Sequence, residues 1–232
     1  MRKLIALLLA LALCLSGSLA LADASVVVTG TGEILVSADS AVVSLGVTVR
    51  KADALEAQAE ANRVIARIRE ALTGAGFAEE DISTGYISLY AVYDYSKDVE
   101  QIMAYNASSS LAVRVTDMAR VGEAIDLAFG AGANTLDGVA FSVEDDSAAR
   151  AEALKAAVED AQKKAAVLAE AAGLAGLKIE SIQEGTVYSF DSGANNFSRK
   201  EAGEEFEGDA STVVRAAKIC VSATVTVTFR AK

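Results

Sequence analysis

Two acidic clusters are the groups in this chain best suited to bind a cation or transfer a proton. They are Glu79-Glu80-Asp81 and Glu144-Asp145-Asp146. Hard cations need oxygen ligands that converge from several positions, and neither cluster has the spacing of an EF-hand loop. Each lies beside a predicted helix end or loop, where acids ordinarily cap helices or face solvent. We therefore expect no metal, no cofactor and no catalytic site here.

Other catalytic groups are scarce in the sequence. The chain has no histidine, which is the commonest general base and metal ligand, so a serine nucleophile would need a lysine base. Gly30-Thr31-Gly32 lacks the third glycine and the following helix of a nucleotide-binding loop, and a strand kink or bulge is the favoured interpretation. An enzyme that uses carboxylates, tyrosines or Cys220 is the third of three functional hypotheses.

A tyrosine cluster is the more informative chemical feature. Tyrosine combines an apolar ring with a polar tip and is enriched at protein interfaces. Packing in the core or on a sheet face is one interpretation, and a surface that contacts a partner is the other. Five of the six tyrosines fall on two neighbouring predicted strands and form the candidate interface: Tyr86, Tyr90, Tyr93, Tyr95 and Tyr105.

The first 22 residues have the pattern of a cleavable secretory signal. Arg2 and Lys3 precede an apolar run, and Ala20-Leu21-Ala22 supplies the small residues of a cleavage site. The run is shorter than the roughly 20 residues that span a bilayer, so the mature chain is expected to have no transmembrane segment. Export to the periplasm, the cell envelope or the extracellular space follows.

Cysteine and charge narrow the range of partners. Cys14 would leave with the signal, so Cys220 could form no disulfide within the mature chain, and a buried inert thiol is favoured over a redox-active or cross-linking one. The net charge is −11. Nucleic acid is an unsuitable partner, because binding phosphates needs clustered Lys and Arg.

Hydrophobic periodicity predicts an α+β fold. Asp53 should cap a helix that runs to about Thr73, Asp117–Phe129 should form a short helix that ends at Gly130, and an Ala-rich helix should start after Asp145-Asp146-Ser147 and end near Gly173. Mainly antiparallel strands should pack against the two long helices. Predicted strands are 26–36, 41–50, 82–95, 105–115, 139–143, 178–190 and 213–229.

The two parts of the chain share a pattern that suggests internal duplication. Gly76-Phe77 precedes Ile82, and Gly173-Leu174 precedes Ile179, by the same interval. We predict two β-α-β-β halves in a domain of residues 23–232, at about 23–116 and 135–232, joined by the short helix 117–130. A mobile acidic loop is expected at 191–210.

Several short motifs resemble those of the SIMPL-domain family, which includes bacterial periplasmic immunogenic proteins. The resemblance covers nearly the whole mature chain, although Ala38 and Ala91 stand where the family often has proline. It lies in these segments: Val26–Gly32, Asp39 with Ala41, Leu45–Val47, Gly76-Phe77, Asp81–Thr84, Tyr93–Tyr95, Tyr105–Ser108, Val113–Val115 with Asp117, Gly132–Asn134 and Ala171–Leu174.

The resemblance implies an exported α+β protein, in some relatives a ring-like or channel-like homo-oligomer and in others a link to stress tolerance. It transfers no catalytic residue. The leading hypothesis is a non-enzymatic envelope protein that assembles with itself through exposed strands or tyrosine-bearing surfaces. The second is a module that binds a small ligand or envelope component, using a pocket between the halves and the 191–210 loop.

Overall fold

The computed structural model describes residues 24–94, 101–191, 212–216 and 218–231. The predicted signal at 1–22, Tyr95 and nearly all of the 191–210 loop lie outside these ranges. The ligand-binding hypothesis depends on that loop and stays a prediction. No helix among the described residues is both long enough and apolar enough to cross a membrane.

The described chain contains seven strands and three α-helices. The bounds are β1 Ser25–Ser37, β2 Ser40–Lys51, α1 Ala54–Gly74, β3 Ile82–Asp94, β4 Gln101–Val115, α2 Val121–Gly130, β5 Thr135–Ser142, α3 Ser147–Ala171, β6 Leu177–Asp191 and β7 Lys218–Ala231. Short 3₁₀ turns at Glu79–Asp81 and Met118–Arg120 precede β3 and α2.

Two antiparallel sheets confirm the predicted α+β class. The larger sheet has the strand order β3-β4-β2-β5, and the smaller has β1-β7-β6. Among the described strands, β3 and β5 are the outer strands of the larger sheet and β1 and β6 are those of the smaller, and each has one side without a neighbouring strand. The duplication of a β-α-β-β unit stays a prediction.

Close contacts divide the chain into two compact units. The larger consists of Glu33–Ala153 and Val187–Ala223. The smaller consists of Leu154–Thr186 with the described parts of Met1–Gly32 and Thr224–Lys232. Each unit has its own hydrophobic core.

In the larger unit, α1 and α2 pack on one face of the four-stranded sheet. The fully buried side chains there include Leu45 on β2, Leu111 on β4 and Ile68 on α1. Along β2, Val43, Leu45 and Val47 occupy alternate positions and face this core. The opposite face of the strands carries Thr48 and Ser108, whose hydroxyls lie 2.9 Å apart.

Local capping explains where α1 begins and ends. Asp53 accepts hydrogen bonds from the backbone amides of Leu55 and Glu56, as predicted for its cap. At the other end Gly76 adopts a positive φ of 89°, which lets the amide of Phe77 reach back to the carbonyl of Leu72. Leu55 has helical spacing with the apolar residues Ile65, Ile68 and Leu72, yet it is 80% exposed, while Ala57 and Ala61 are buried.

In the smaller unit, the part of α3 from Leu154 onward packs on β1 and β7 through alanine. Every fourth residue of this 25-residue helix is a buried alanine: Ala149, Ala153, Ala157, Ala161, Ala165 and Ala169. The helix comes so close to β1 that a Cβ on Gly30 would overlap the Ala157 carbonyl oxygen and lie 2.7 Å from the Ala161 amide nitrogen. Gly30 of the Gly-Thr-Gly sequence is therefore a helix-packing position.

We predict that Gly30→Ala destabilises the protein by about 1–3 kcal/mol, since an added methyl in a close-packed contact forces backbone shifts. Urea unfolding followed by circular dichroism measures the change. Gly74→Ala is the matched control, because nothing lies within 4 Å of a Cβ at the end of α1. Equal stability of the two variants would contradict the packing role of Gly30.

Candidate functional site

The four candidate tyrosines that the structure describes are distributed over both faces of the larger sheet. Tyr105 is half-buried and packs against the core beneath α1. Tyr90 pairs with Asn106 across β3 and β4 on the opposite face, where its hydroxyl accepts a hydrogen bond from the Asn106 amide at 3.2 Å. Strand alternation places Tyr93 on the same side as Tyr105. The proposed common surface is thus distributed over two faces.

Tyr86 lies at an irregularity in β3. The register with β4 shifts between Thr84 and Ile87, and the Tyr86 amide donates to the hydroxyl of Ser110 at 3.0 Å. Gly85 is needed beside it, because a Cβ there would come 2.5 Å from the same hydroxyl oxygen. A bulge of this kind bends an outer strand and redirects the side chains around it.

Exposed apolar side chains concentrate on the β3–β4 hairpin. We call this set the hairpin patch. Ile87 is 61% exposed and Met103 58%, which are high values for large apolar side chains in a folded sheet. The patch consists of Tyr86, Ile87, Leu89, Tyr90, Tyr93, Ile102 and Met103.

A groove runs between α1 and the face of β3 that is turned toward this helix. It encloses about 460 Å³ and is lined by Ile65 and Arg69 of α1 and by Thr84 and Ile87 of β3, among others. Arg69 donates to the carbonyl of Ile82 at 3.1 Å and forms an ion pair with Glu79. Beyond Ile82, no strand in the described ranges lies along the outward side of β3.

The outward side of β1, in contrast, is covered by two side chains of α3. The Thr31 amide donates to the Asp160 carboxylate at 2.8 Å, and the Lys164 ammonium donates to the Thr29 carbonyl at 3.1 Å. Asp160 and Lys164 also form an ion pair at 2.6 Å. A carboxylate and an ammonium group thus take the positions that an adjoining strand's carbonyl and amide would occupy.

Asn134 closes the part of β2 that extends beyond the end of β5. Its side-chain oxygen accepts from the Thr48 amide at 2.8 Å, and its side-chain nitrogen donates to the Thr48 carbonyl at 2.9 Å. The Asn134 backbone amide continues the β5 ladder by donating to the Gly46 carbonyl. One asparagine therefore pairs with β2 in the manner of a strand residue.

The other outer strands carry charge or irregularity. β5 is only eight residues long, includes Asp137, and shifts register opposite Ser44 and Leu45. β6 has Lys178, Glu180 and Glu184 along its length. β3 alone among the four outer strands has an uncharged run of eleven residues, Ser83–Tyr93.

The amino-acid sequence of this chain matches the model of a known protein family. The family model described as "SIMPL: Protein of unknown function (DUF541)" matches residues 26–229. The chain belongs to the SIMPL family. The resemblance of its motifs predicted this membership, and the match confirms it.

Relatives of the SIMPL chain include proteins of several bacteria. The 26 kDa periplasmic immunogenic proteins of Brucella melitensis and Brucella abortus are each 33% identical over 166 residues, covering 69% of this chain and 66% of theirs. The uncharacterized protein YggE of Escherichia coli is 27% identical over 144 residues, covering 62% of this chain and 58% of its own. The chain thus spans less than two thirds of these relatives' length, 66% of the Brucella proteins and 58% of YggE.

The acidic clusters of this SIMPL domain take part in ion pairs and caps. Asp81 and Glu144 both contact the Arg114 guanidinium, Asp81 at 2.9 Å. These contacts raise the pKa of Arg114, chiefly through the Asp81 hydrogen bond. No group of three or more acidic or cysteine side chains in the described ranges is arranged to hold a metal ion.

The second cluster organises the start of α3. Asp145 accepts from the Ser147 amide at 3.0 Å. Asp146 binds Arg150 at 2.6 Å and the hydroxyl of Ser189, and these hydrogen bonds lower the pKa of Asp146. The carboxylates of this cluster therefore stabilise local structure.

Cys220 is buried on β7, 5% exposed. Burial raises the pKa of its thiol, and the negative charge of Glu33 adds to the effect. Thiolate is the reactive form of cysteine, so both influences make this thiol less reactive.

The cover on β1 predicts an acid-dependent stability. Hydrogen bonds from Lys164 and Thr31 lower the pKa of Asp160. Its contribution to stability is then complete above the ordinary aspartate pKa of about 3.9 and is lost as the pH falls through the lower folded-state value. We expect Asp160→Asn to lower the melting temperature at neutral pH, and the difference from the wild type to shrink as the pH falls below about 3.9.

Glu159→Gln is the control for this comparison. The Glu159 carboxylate lies on the same helix, 4.0 Å from Lys163 in an exposed pair, and such pairs contribute little. Melting curves at several pH values measure all three proteins. If the melting temperature of Asp160→Asn is lower than that of the wild type by the same amount at every pH, the charge of Asp160 has no role in covering β1.

Proposed function

We propose that this chain is an exported, non-enzymatic protein of the bacterial envelope that assembles with itself through the hairpin patch. The observation that carries the proposal is the exposure of seven large apolar side chains on one hairpin. Large apolar side chains that are exposed singly are ordinary, whereas a concentration of them typically marks an interaction site.

The composition of the hairpin patch favours a protein interface over a small-ligand site. Three of its members are tyrosines, the patch includes one methionine and no charge, and these features distinguish interface cores from ordinary surface. Its side chains project from both faces of the sheet rather than converging on a cavity. A second protein surface covers such a shape better than a small molecule does.

The periplasm is the proposed compartment. The support is the secretory pattern of residues 1–22 and the printed name of the Brucella relatives, which describes those proteins as periplasmic. Envelope or oxidative stress tolerance is the proposed physiological outcome. A deletion strain that survives peroxide and detergent as well as its parent would remove that part of the proposal.

The absence of catalysis is also part of the proposal. It is supported by the engagement of Asp81, Glu144 and Asp146 with arginines and by the raised pKa of Cys220. Groups held in this way are poorly suited to accept or donate protons to a substrate. Activity screens with model esters, peptides and phosphates test it, and turnover that survives further purification would contradict it.

We further infer that the β-α-β-β unit is duplicated. Tyr86 donates to the hydroxyl of Ser110 and Thr186 donates to that of Thr224, both at 3.0 Å, with a glycine just before each donor. The two long helices also end alike, since Leu174 donates to the Ala169 carbonyl as Phe77 donates to that of Leu72. These matched details support repetition beyond the glycine spacing.

We predict that the purified protein forms a discrete assembly at micromolar concentration, and that Met103→Ser weakens it by roughly fivefold or more, as expected for an interface side chain worth over about 1 kcal/mol. Size exclusion with light scattering measures the mass over a dilution series. Val167→Ser on α3 is the control, because that side chain is 65% exposed and lies outside the patch.

A strict monomer at every concentration would contradict the proposal. If Met103→Ser and Val167→Ser weaken the assembly equally, self-association does not depend on the hairpin patch. Thermal unfolding of both variants verifies that neither change acts by loss of folding, which exposed substitutions seldom cause.

A further inference from the structure

We propose that two copies of this chain join by antiparallel pairing of β3 with β3 of the second copy, which extends the four-stranded sheet across the interface. The inference rests on the proposed self-assembly and specifies its geometry. It follows from which outer strands are closed and which one is open.

The open side of β3 is long enough to act as a template for a strand. β3 has 13 residues, pairs only with β4 in the described ranges, and keeps a regular register over Ile87–Val92, between its two register shifts. An outer strand presents a row of outward amide and carbonyl groups that another chain can bind. Proteins commonly block such rows with charge or proline, and Ser83–Tyr93 has neither.

The competing outer positions are blocked. Asp160 and Lys164 occupy backbone groups of β1 at Thr31 and Thr29. Asn134 occupies those of Thr48 on β2. β5 is only eight residues long and includes Asp137, and β6 carries two glutamates and a lysine. Among the described outer strands, β3 is therefore the one best able to pair with an additional strand.

A second copy fits this strand because the pairing is self-complementary. A two-fold axis perpendicular to the sheet makes the strands antiparallel and keeps the α1 side of both copies on one face. Ile87 and Leu89 lie on that side, so each copy's exposed apolar residues meet those of its partner. The partner's side chains would also cover the groove between β3 and α1, which includes Ile65.

The test compares lysine substitutions at three outer strands in the full chain. Ile87→Lys on β3, with a 61% exposed wild-type side chain, is matched by Val27→Lys on β1, where it is 60% exposed. Ile182→Lys on β6, at 51%, is the second control. Two lysines opposed across a two-fold interface repel and lose apolar contact. We expect Ile87→Lys alone to weaken self-association at least tenfold in sedimentation equilibrium.

Each result bears on a different claim. An Ile87→Lys protein that assembles like the wild type would overturn the β3 pairing while leaving self-assembly intact. Dissociation by Ile182→Lys would overturn the β3–β3 pairing in favour of β3 with β6. A wild type that is monomeric yet binds an unfolded polypeptide such as reduced, alkylated lactalbumin would replace the second copy with a foreign strand, and would also remove the proposed function.

Folding of the variants is verified separately by circular dichroism and melting temperature. Leu89→Lys, whose wild-type side chain is 45% exposed on the same side of β3, provides an independent substitution should Ile87→Lys unfold. Both β3 variants are expected to give folded monomers. A folded Leu89→Lys protein that retains the wild-type mass would likewise overturn the proposal.

Discussion

The structure depends on satisfying the backbone hydrogen-bonding groups of outer strands. Two open sheets have four outer strands, and the unpaired amides and carbonyls on each must bind water, a side chain or another chain. In this protein, side chains bind several of the backbone groups that no strand pairs. Arg69 binds the carbonyl of Ile82, Asp160 binds the amide of Thr31, and Asn134 binds the amide of Thr48. Along Ile87–Val92 of β3, the described residues provide no comparable cover.

Small residues make that cover possible. Asp160 and Lys164 can reach β1 because the alanine stripe and Gly30 let α3 approach the strand closely. Larger residues at Ala157 or Ala161 would hold the helix farther away, beyond the reach of an aspartate. Core packing and closure of the sheet are therefore coupled through the same helix.

The sequence predicted the elements well because their signals are local. The Asp53 cap, the glycine after each helix and the alternation of Val43, Leu45 and Val47 each depend on neighbours in the chain. The buried side of α1 is harder to predict from the sequence. Leu55 fits a helical apolar stripe yet is exposed, and the packing of Ala57 and Ala61 determines which side of the helix is buried. The roles of Asn134 and Gly30 depend on partners 86 and over 120 residues away. The tyrosines were identifiable, but their division between two faces follows from register.

Hydrogen exchange with mass spectrometry, at two protein concentrations on either side of the assembly midpoint, tests the open strand most directly. If β3 pairs with a second copy, the amides of 83–92 exchange slowly in the assembly. They exchange quickly after dilution, because the partner strand that protects them has dissociated. The amide of Thr31, which Asp160 holds within one chain, should be equally protected at both concentrations. Protection of 83–92 that is independent of concentration would contradict the pairing of β3 with a second copy.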